Sequence, residues 1–214
     1  MRYVLEIAYC ARAFCCYNRI RSLRWIACNT MIFELRSYEV LPGQAIRYLE
    51  VFRAEGLPVI SRFLDFLGFW SSEFGALNVV YSLWSHTSLS ERRRNRAALY
   101  THTPWTAGFV SKAFPLILNQ RSLLLESAGV QPSREAVHAG GDFWTLRLSC
   151  APAGDAAAKA TFAFRILAGD FRTHMTLRSM GQGELSLKRE GREDVTILSR
   201  ADMSFTVNAE RASG

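Results

Sequence analysis

MIFELRSYEVLPGQ (Met31–Gln44), SSEFGALNVVYSLWSHTSLSERRRNRAAL (Ser71–Leu99), PWTAGF (Pro104–Phe109) and RSLLLES (Arg121–Ser127) together decide the fold. In Ile32–Leu41, Phe33, Leu35 and Ser37 alternate with Glu34, Arg36 and Tyr38, which predicts a strand ended by Pro42-Gly43. Ala45, Tyr48, Leu49 and Phe52 then recur at helical spacing. That helix is expected to end near Gly56-Leu57-Pro58, with a second helical piece over Val59–Phe66. Leu67–Phe74 and Leu77–Ser85 read as strands joined by a tight turn at Gly75-Ala76. Ser88 with Glu91 forms a capping box for a helix through Leu99. A further helical stretch starts at Pro104-Trp105 and runs to about Phe114, and Gln120–Glu126 is the closing strand. The order is βαββαβ, so the fold class is α+β with a ferredoxin-like arrangement.

Residues 128–142 are rich in Gly, Pro and polar residues and read as a domain boundary. Beyond it, Phe143–Leu148 followed by Pro152, Gly154 and an Ala-rich helix faintly repeats the opening Phe33–Arg36 and its turn. HMTLRSM, GELSLKR, DVTILSR and MSFTVNA alternate like short strands. Residues 143–214 are thus a poorly defined α+β region, either a degenerate second copy or a chance likeness. Residues 1–30 are Arg-rich with Glu6 as their one acid, and read either as a presequence-like segment or as an extension outside the fold.

The 214 residues carry a net charge of +7 with 49% hydrophobic and 21% charged side chains, which excludes a globally disordered chain. Five cysteines (Cys10, Cys15, Cys16, Cys28 and Cys150) form no CxxC pair, four of them in the first 30 residues. This argues for a reducing compartment: the cytoplasm, or the mitochondrial matrix if the Arg-rich start is a presequence. His86, His102, His138 and His174 share no ligand spacing with the cysteines, so no metal site is expected. No apolar run is long enough for a transmembrane helix.

Glu34-Leu35-Arg36, Pro42-Gly43, Glu55–Pro58, Glu73-x-Gly75-x-Leu77-Asn78, Leu83-Trp84, Arg92, Arg94, Arg96 and Trp105 resemble the NIPSNAP family over about residues 31–125. The resemblance implies a ferredoxin-like dimeric α+β barrel. It therefore implies a homodimer, or a pseudo-dimer if residues 143–214 are a second copy. Ser82 and His86 stand where members often carry His and an aromatic residue, which would change the polarity of any ligand space there.

Period-two alternation sets Glu34, Arg36 and Tyr38 on one face of the first strand, and Asn78, Val80, Ser82, Trp84 and His86 on one face of the third. If these faces line a cavity, Arg36, Tyr38, Asn78, Ser82, Trp84 and His86 are the candidate binding residues. Arg36 would hold a carboxylate or carbonyl group, and His86 would move a proton near neutral pH. The same residues also suit a bracing role: Arg36 paired with Glu34 or Glu73, and Asn78 in the hairpin turn. Arg92, Arg93, Arg94 and Arg96 read either as a solvated helix face or as a surface for an anionic partner, with nucleic acid not expected.

Two functions follow. One is a non-catalytic dimeric module that binds a small apolar or carbonyl ligand or a protein partner. The other is a cofactor-free oxygenase or isomerase using His86, Tyr38 and Arg36. No phosphate-binding loop, dinucleotide fingerprint or nucleophile elbow is present, and no cofactor is expected. A chain started at Met31 is expected to melt within a few degrees of the full chain; a large drop would place residues 1–30 within the fold.

Overall fold

A computed structural model describes residues 31–150, 161–181, 194–201 and 203. The first strand, β1 (Ile32–Val40), keeps the expected alternation, with Phe33 and Leu35 in one apolar cluster and Tyr38 in another on the opposite face. The first helix, α1, is continuous but changes hydrogen-bond register: Ala45–Val51 is α-helical, Phe52–Gly56 has π-type bonding, and Leu57–Ile60 is α-helical again. Pro58 therefore falls in the first turn of the last piece, where its missing N–H costs little. The expected helix end near Gly56-Leu57-Pro58 and the separate helical piece over Val59–Phe66 are both corrected. The helix ends at Ile60, and β2 (Asp65–Phe74) already begins at Asp65.

β3 (Val79–His86) pairs antiparallel with β2 and with β1. The turn between β2 and β3 uses two left-handed residues, Gly75 (φ 105°) and Asn78 (φ 57°). Ser88 caps α2 (Leu89–Thr101) by accepting from the Glu91 N–H at 3.1 Å. The Glu91 carboxylate reaches back to the Thr87 N–H (2.7 Å), one residue earlier than the standard capping box places it. Helix α3 comprises Pro104–Val110, Ser111–Ala113 and Phe114–Leu116, and leads into β4 (Ile117–Ser127).

The stretch 128–142 is more than a connecting segment. It holds α4 (Arg134–His138), capped by Ser133, with Val137 buried in the same cluster as Phe33 and Trp144. HMTLRSM and DVTILSR, expected to be strands, hold β7 (His174–Ser179) and β8 (Asp194–Arg200), and Phe143–Leu148, which repeats the opening strand, lies in β5 (Phe143–Ser149). The sequence reading had no strand at β6 (Phe162–Ala168). The Ala-rich segment after Pro152, GELSLKR and nearly all of MSFTVNA lie outside the described residues, as does the segment 1–30.

All eight strands close into one antiparallel barrel in the order β1-β3-β2-β8-β5-β7-β6-β4. The first four strands run β4-β1-β3-β2 and the last four run β8-β5-β7-β6, so each set has its first strand between its third and fourth. The registers correspond. Leu35 faces Leu83 and Leu123, while Leu146 faces Leu177 and Thr196. Trp70 faces Tyr81, and Phe164 faces Met175. Each seam carries one register shift, between Ser72 and Phe74 against β8 and between Leu124 and Leu125 against β6.

Two cores result. Inside the barrel lie Phe33, Leu35, Trp70, Leu83, Trp144 and Phe164 with their neighbours. Outside the first four strands, α1, α2 and α3 cover a second core that includes Tyr48, Phe52, Trp84, Trp105 and Phe109. Gly169 sits at φ 100°, and a Cβ there would meet the Ser122 carbonyl oxygen of β4 at 2.2 Å. Gly43, also left-handed at φ 75°, has open space around it. Gly169→Ala is therefore expected to cost about 3 kcal/mol, from backbone strain plus a forced shift of β4, and Gly43→Ala only about 1 kcal/mol. Urea unfolding of the two variants measures the difference.

Candidate functional site

The alternation of β1 and β3 brings most of the predicted residues onto one face, but that face is the outer, helix-covered one. Glu34 lies opposite Trp84, Arg36 opposite Ser82, and Tyr38 opposite Val80. Ser82 and His86, the two departures from the family pattern, accordingly do not line the barrel interior.

Glu34 is the centre of this face. It is 1% exposed and receives two hydrogen bonds from Arg92, Nε to Oε2 at 2.7 Å and Nη2 to Oε1 at 2.6 Å. Ser122 Oγ donates to Oε1 at 2.6 Å. His86 Nε2 stands 3.4 Å from Oε2 at ion-pair distance, without hydrogen-bond alignment, and Arg36 Nε is 3.8 Å from Oε1. Burial is the largest single influence and raises the carboxyl pKa. The donors and the nearby guanidinium groups outweigh it and hold the group well below the usual carboxylate range.

Arg36, Tyr38, Ser82 and Trp84 meet Tyr48 and Trp105 around a space of only about 10 Å³. Such a space takes at most one water. Trp84 Nε1 donates to Ser82 Oγ at 2.9 Å, and the Arg36 guanidinium lies over the Tyr38 ring at 5.2 Å. Burial raises the pKa of the Tyr38 hydroxyl. His86, 2% exposed, belongs to the Glu34 cluster and does not line this space. Asn78 is elsewhere: its carbonyl accepts from the Val40 N–H (2.8 Å) and its Oδ1 from the Gly43 N–H (3.3 Å), tying two turns together. Of the two bracing partners considered for Arg36, Glu34 is the one within ion-pair distance.

The basic helix divides in two. Arg92 serves Glu34, and Arg96 lies over the Tyr100 ring at 5.8 Å, while Arg93 and Arg94 face solvent. Cys150 is an exposed free thiol. Among the described residues no group of three or more His, Cys, Asp or Glu could hold a metal ion, and no helix is long and apolar enough to cross a membrane.

The roomier space is one that sequence reasoning missed. At the barrel end bearing the β2–β3 and β6–β7 turns, a cavity of about 390 Å³ opens. Leu35, Leu123, Leu146 and Leu148 form its apolar wall, and Ser37, Tyr81 and Arg121 form a polar row on adjacent strands. Asp170 and Arg172 stand at the rim, joined by paired bonds of 2.9 and 2.6 Å, and Arg172 holds the Asp170 carboxyl below its usual range. Tyr81 is hydrogen-bonded to Thr196, and burial raises its hydroxyl pKa. The sequence signal for Arg121 was its phase: it shares parity with the buried Leu123 and Leu125.

These features define a closed α+β barrel with one helix-covered outer face and one open end. Residues 33–132 match the NIPSNAP family, and this half of the chain is a NIPSNAP domain. It is similar to a NipSnap homolog of Dictyostelium discoideum, 32% identical over 100 residues, covering 47% of this chain and 39% of that protein. It is likewise similar to NipSnap homolog 2 of Danio rerio, 33% identical over 95 residues, covering 44% of this chain and 32% of that protein. The matched region thus spans well under half of these relatives. Among solved structures, an uncharacterized NIPSNAP domain protein from Burkholderia xenovorans is 28% identical, covering 48% of this chain and 99% of that one, with a TM-score of 0.45.

Glu34→Gln would leave Arg92 without its carboxylate, and is expected to cost about 3 kcal/mol at pH 7, the low end for a broken buried pair because Arg92 is partly exposed. Because folding lowers the Glu34 pKa, its contribution is complete above the unfolded value near 4.5 and is lost as pH falls below it. The stability gap between wild type and Glu34→Gln should therefore stay constant from pH 7 to about pH 5 and narrow from there to pH 3 in denaturant titrations.

Proposed function

We propose that this NIPSNAP-like protein is a non-catalytic small-ligand-binding module whose ligand enters the open end of the barrel. The observation that carries this reading is the contrast in space. The face holding Arg36, Tyr38 and Trp84 leaves about 10 Å³, whereas the barrel mouth offers about 390 Å³, within the usual range for small-ligand pockets. The cofactor-free enzyme reading needs room for a substrate beside His86, Tyr38 and Arg36. His86 is instead held beside a buried carboxylate, and the other two are packed against aromatic rings.

The same proposal treats residues 31–127 and 143–214 as two ferredoxin-like units joined in one chain, standing where two subunits would stand in a dimeric barrel. Matched strand order, matched registers and matched seam shifts support it. The left-handed glycines support it too, since Gly75 packs against Thr196 of β8 while Gly169 packs against Ser122 and Leu123 of β4. In this reading a homodimer is unnecessary, because β2 and β4 already pair with β8 and β6 of their own chain. The matching positions of the second unit differ: Thr145 occupies the register position of Glu34, and Val195 that of Ser122.

Native mass spectrometry of gently purified protein tests both parts. The expected spectrum is a monomer carrying one small molecule, or one that takes up a small apolar carboxylic or carbonyl compound when it is added. A stable dimer would contradict the single-chain barrel, and a monomer that stays empty would contradict the binding role.

A further inference from the structure

We propose that the barrel mouth selects small monocarboxylates with an apolar body, held by Arg121 at the rim; the proposal rests on the ligand-binding reading above. The wall of the cavity is apolar and deep: Leu35, Leu123, Leu146, Leu148 and Val195 contribute to it from four different strands. Its polar groups gather on one side. Arg121 of β4 is the cross-strand partner of Ser37 on β1, and Ser37 is in turn the partner of Tyr81 on β3. The three therefore form one row across adjacent strands, on the same parity as the leucines beneath.

Charge decides the ligand class. The fork of Arg172 is engaged by both oxygens of Asp170, so that pair adds no net charge to the rim. Arg121 has no carboxylate partner among the described residues, and its field reaches Tyr81. Among the described residues Arg121 is thus a guanidinium at the rim without a carboxylate partner, and above an apolar wall it matches a single planar anion followed by an apolar body. A carboxylate takes the guanidinium fork through two parallel hydrogen bonds. A doubly charged phosphate would call for a second free cation or a nest of backbone N–H groups. An alkylammonium ion would be repelled.

The approach to the pocket is apolar as well. Phe74 and Leu77 beside the β2–β3 turn are 65% and 60% exposed, and Phe171 in the β6–β7 turn is 81% exposed. These three exposed apolar side chains stand next to Gly75, Ala76, Asp170 and Arg172, which line the opening.

Octanoate, octan-1-ol and octylammonium, titrated at pH 7 into wild type and Arg121→Gln, provide the test, read by methyl chemical shifts of Leu123 and Leu146. Arg121 is exposed, so the variant is expected to fold. Octanoate should shift both methyl sets saturably and bind at least about tenfold more weakly to Arg121→Gln. Octan-1-ol should bind weakly and equally to both proteins, and octylammonium should not bind. Equal octanoate binding to the two proteins, or octylammonium binding as well as octanoate, overturns the carboxylate assignment. If octan-1-ol shifts the same methyls as strongly as octanoate, the assignment fails while ligand binding in the mouth survives. If none of the three probes shifts them, ligand binding in the mouth fails too.

Discussion

Backbone pairing across two seams, β2 with β8 and β4 with β6, is the constraint on which the rest of the structure depends. Each set of four strands alone would present two raw edges and an apolar face bearing Phe33, Leu35 and Leu83 in one case, and Trp144, Leu146 and Leu177 in the other. Closing the seams satisfies the edges and buries both faces against one another. The register shift in each seam bends the strand locally, as closure of a sheet requires. The glycine beside each seam shift then lets the hairpin turn lie against the strand across the seam.

Closure also determines what each face of the first sheet is available to do. With the interior filled by apolar side chains, the outer face must be covered separately, and α1, α2 and α3 do that. The buried carboxylate of Glu34 fastens this cover: Arg92 comes from α2, while Ser122 and His86 come from the strands flanking β1. A charge removed from water costs several kcal/mol unless it is paired and hydrogen-bonded, and here both oxygens are occupied. The polar cluster is therefore an attachment point, and the larger space lies instead at the barrel end, beside Arg121.

Much of the first half was legible in the sequence because period-two alternation and capping signals are local. Phe33, Leu35 and the Ser88–Glu91 cap needed no knowledge of the rest of the chain. Alternation also grouped Glu34, Arg36 and Tyr38 correctly with Ser82, Trp84 and His86. It could not say which side of the sheet would become the interior, since that depends on where the second four strands close. Arg121 was missed for a related reason: as an exposed arginine at the start of a strand it looks ordinary until Leu146, Leu148 and Thr196 are brought opposite. β6 was missed because Phe162–Ala168 follows an Ala-rich stretch that reads as helix and carries no turn signal at its start. The helix register change before Pro58 has only Gly56 as a local sign, and what Gly56 permits, the close approach of Phe109, is a tertiary contact.

The central claim is that both seams are made within one chain. Isotope-filtered NOE spectroscopy on an equimolar mixture of ¹³C-labelled and unlabelled protein tests it most directly. Uniformly labelled protein should show contacts between Ser71 and Ser199 and between Glu126 and Arg165, and the mixed sample should show none of these between labelled and unlabelled chains. Interchain contacts at either seam would mean that the barrel is completed by a second molecule.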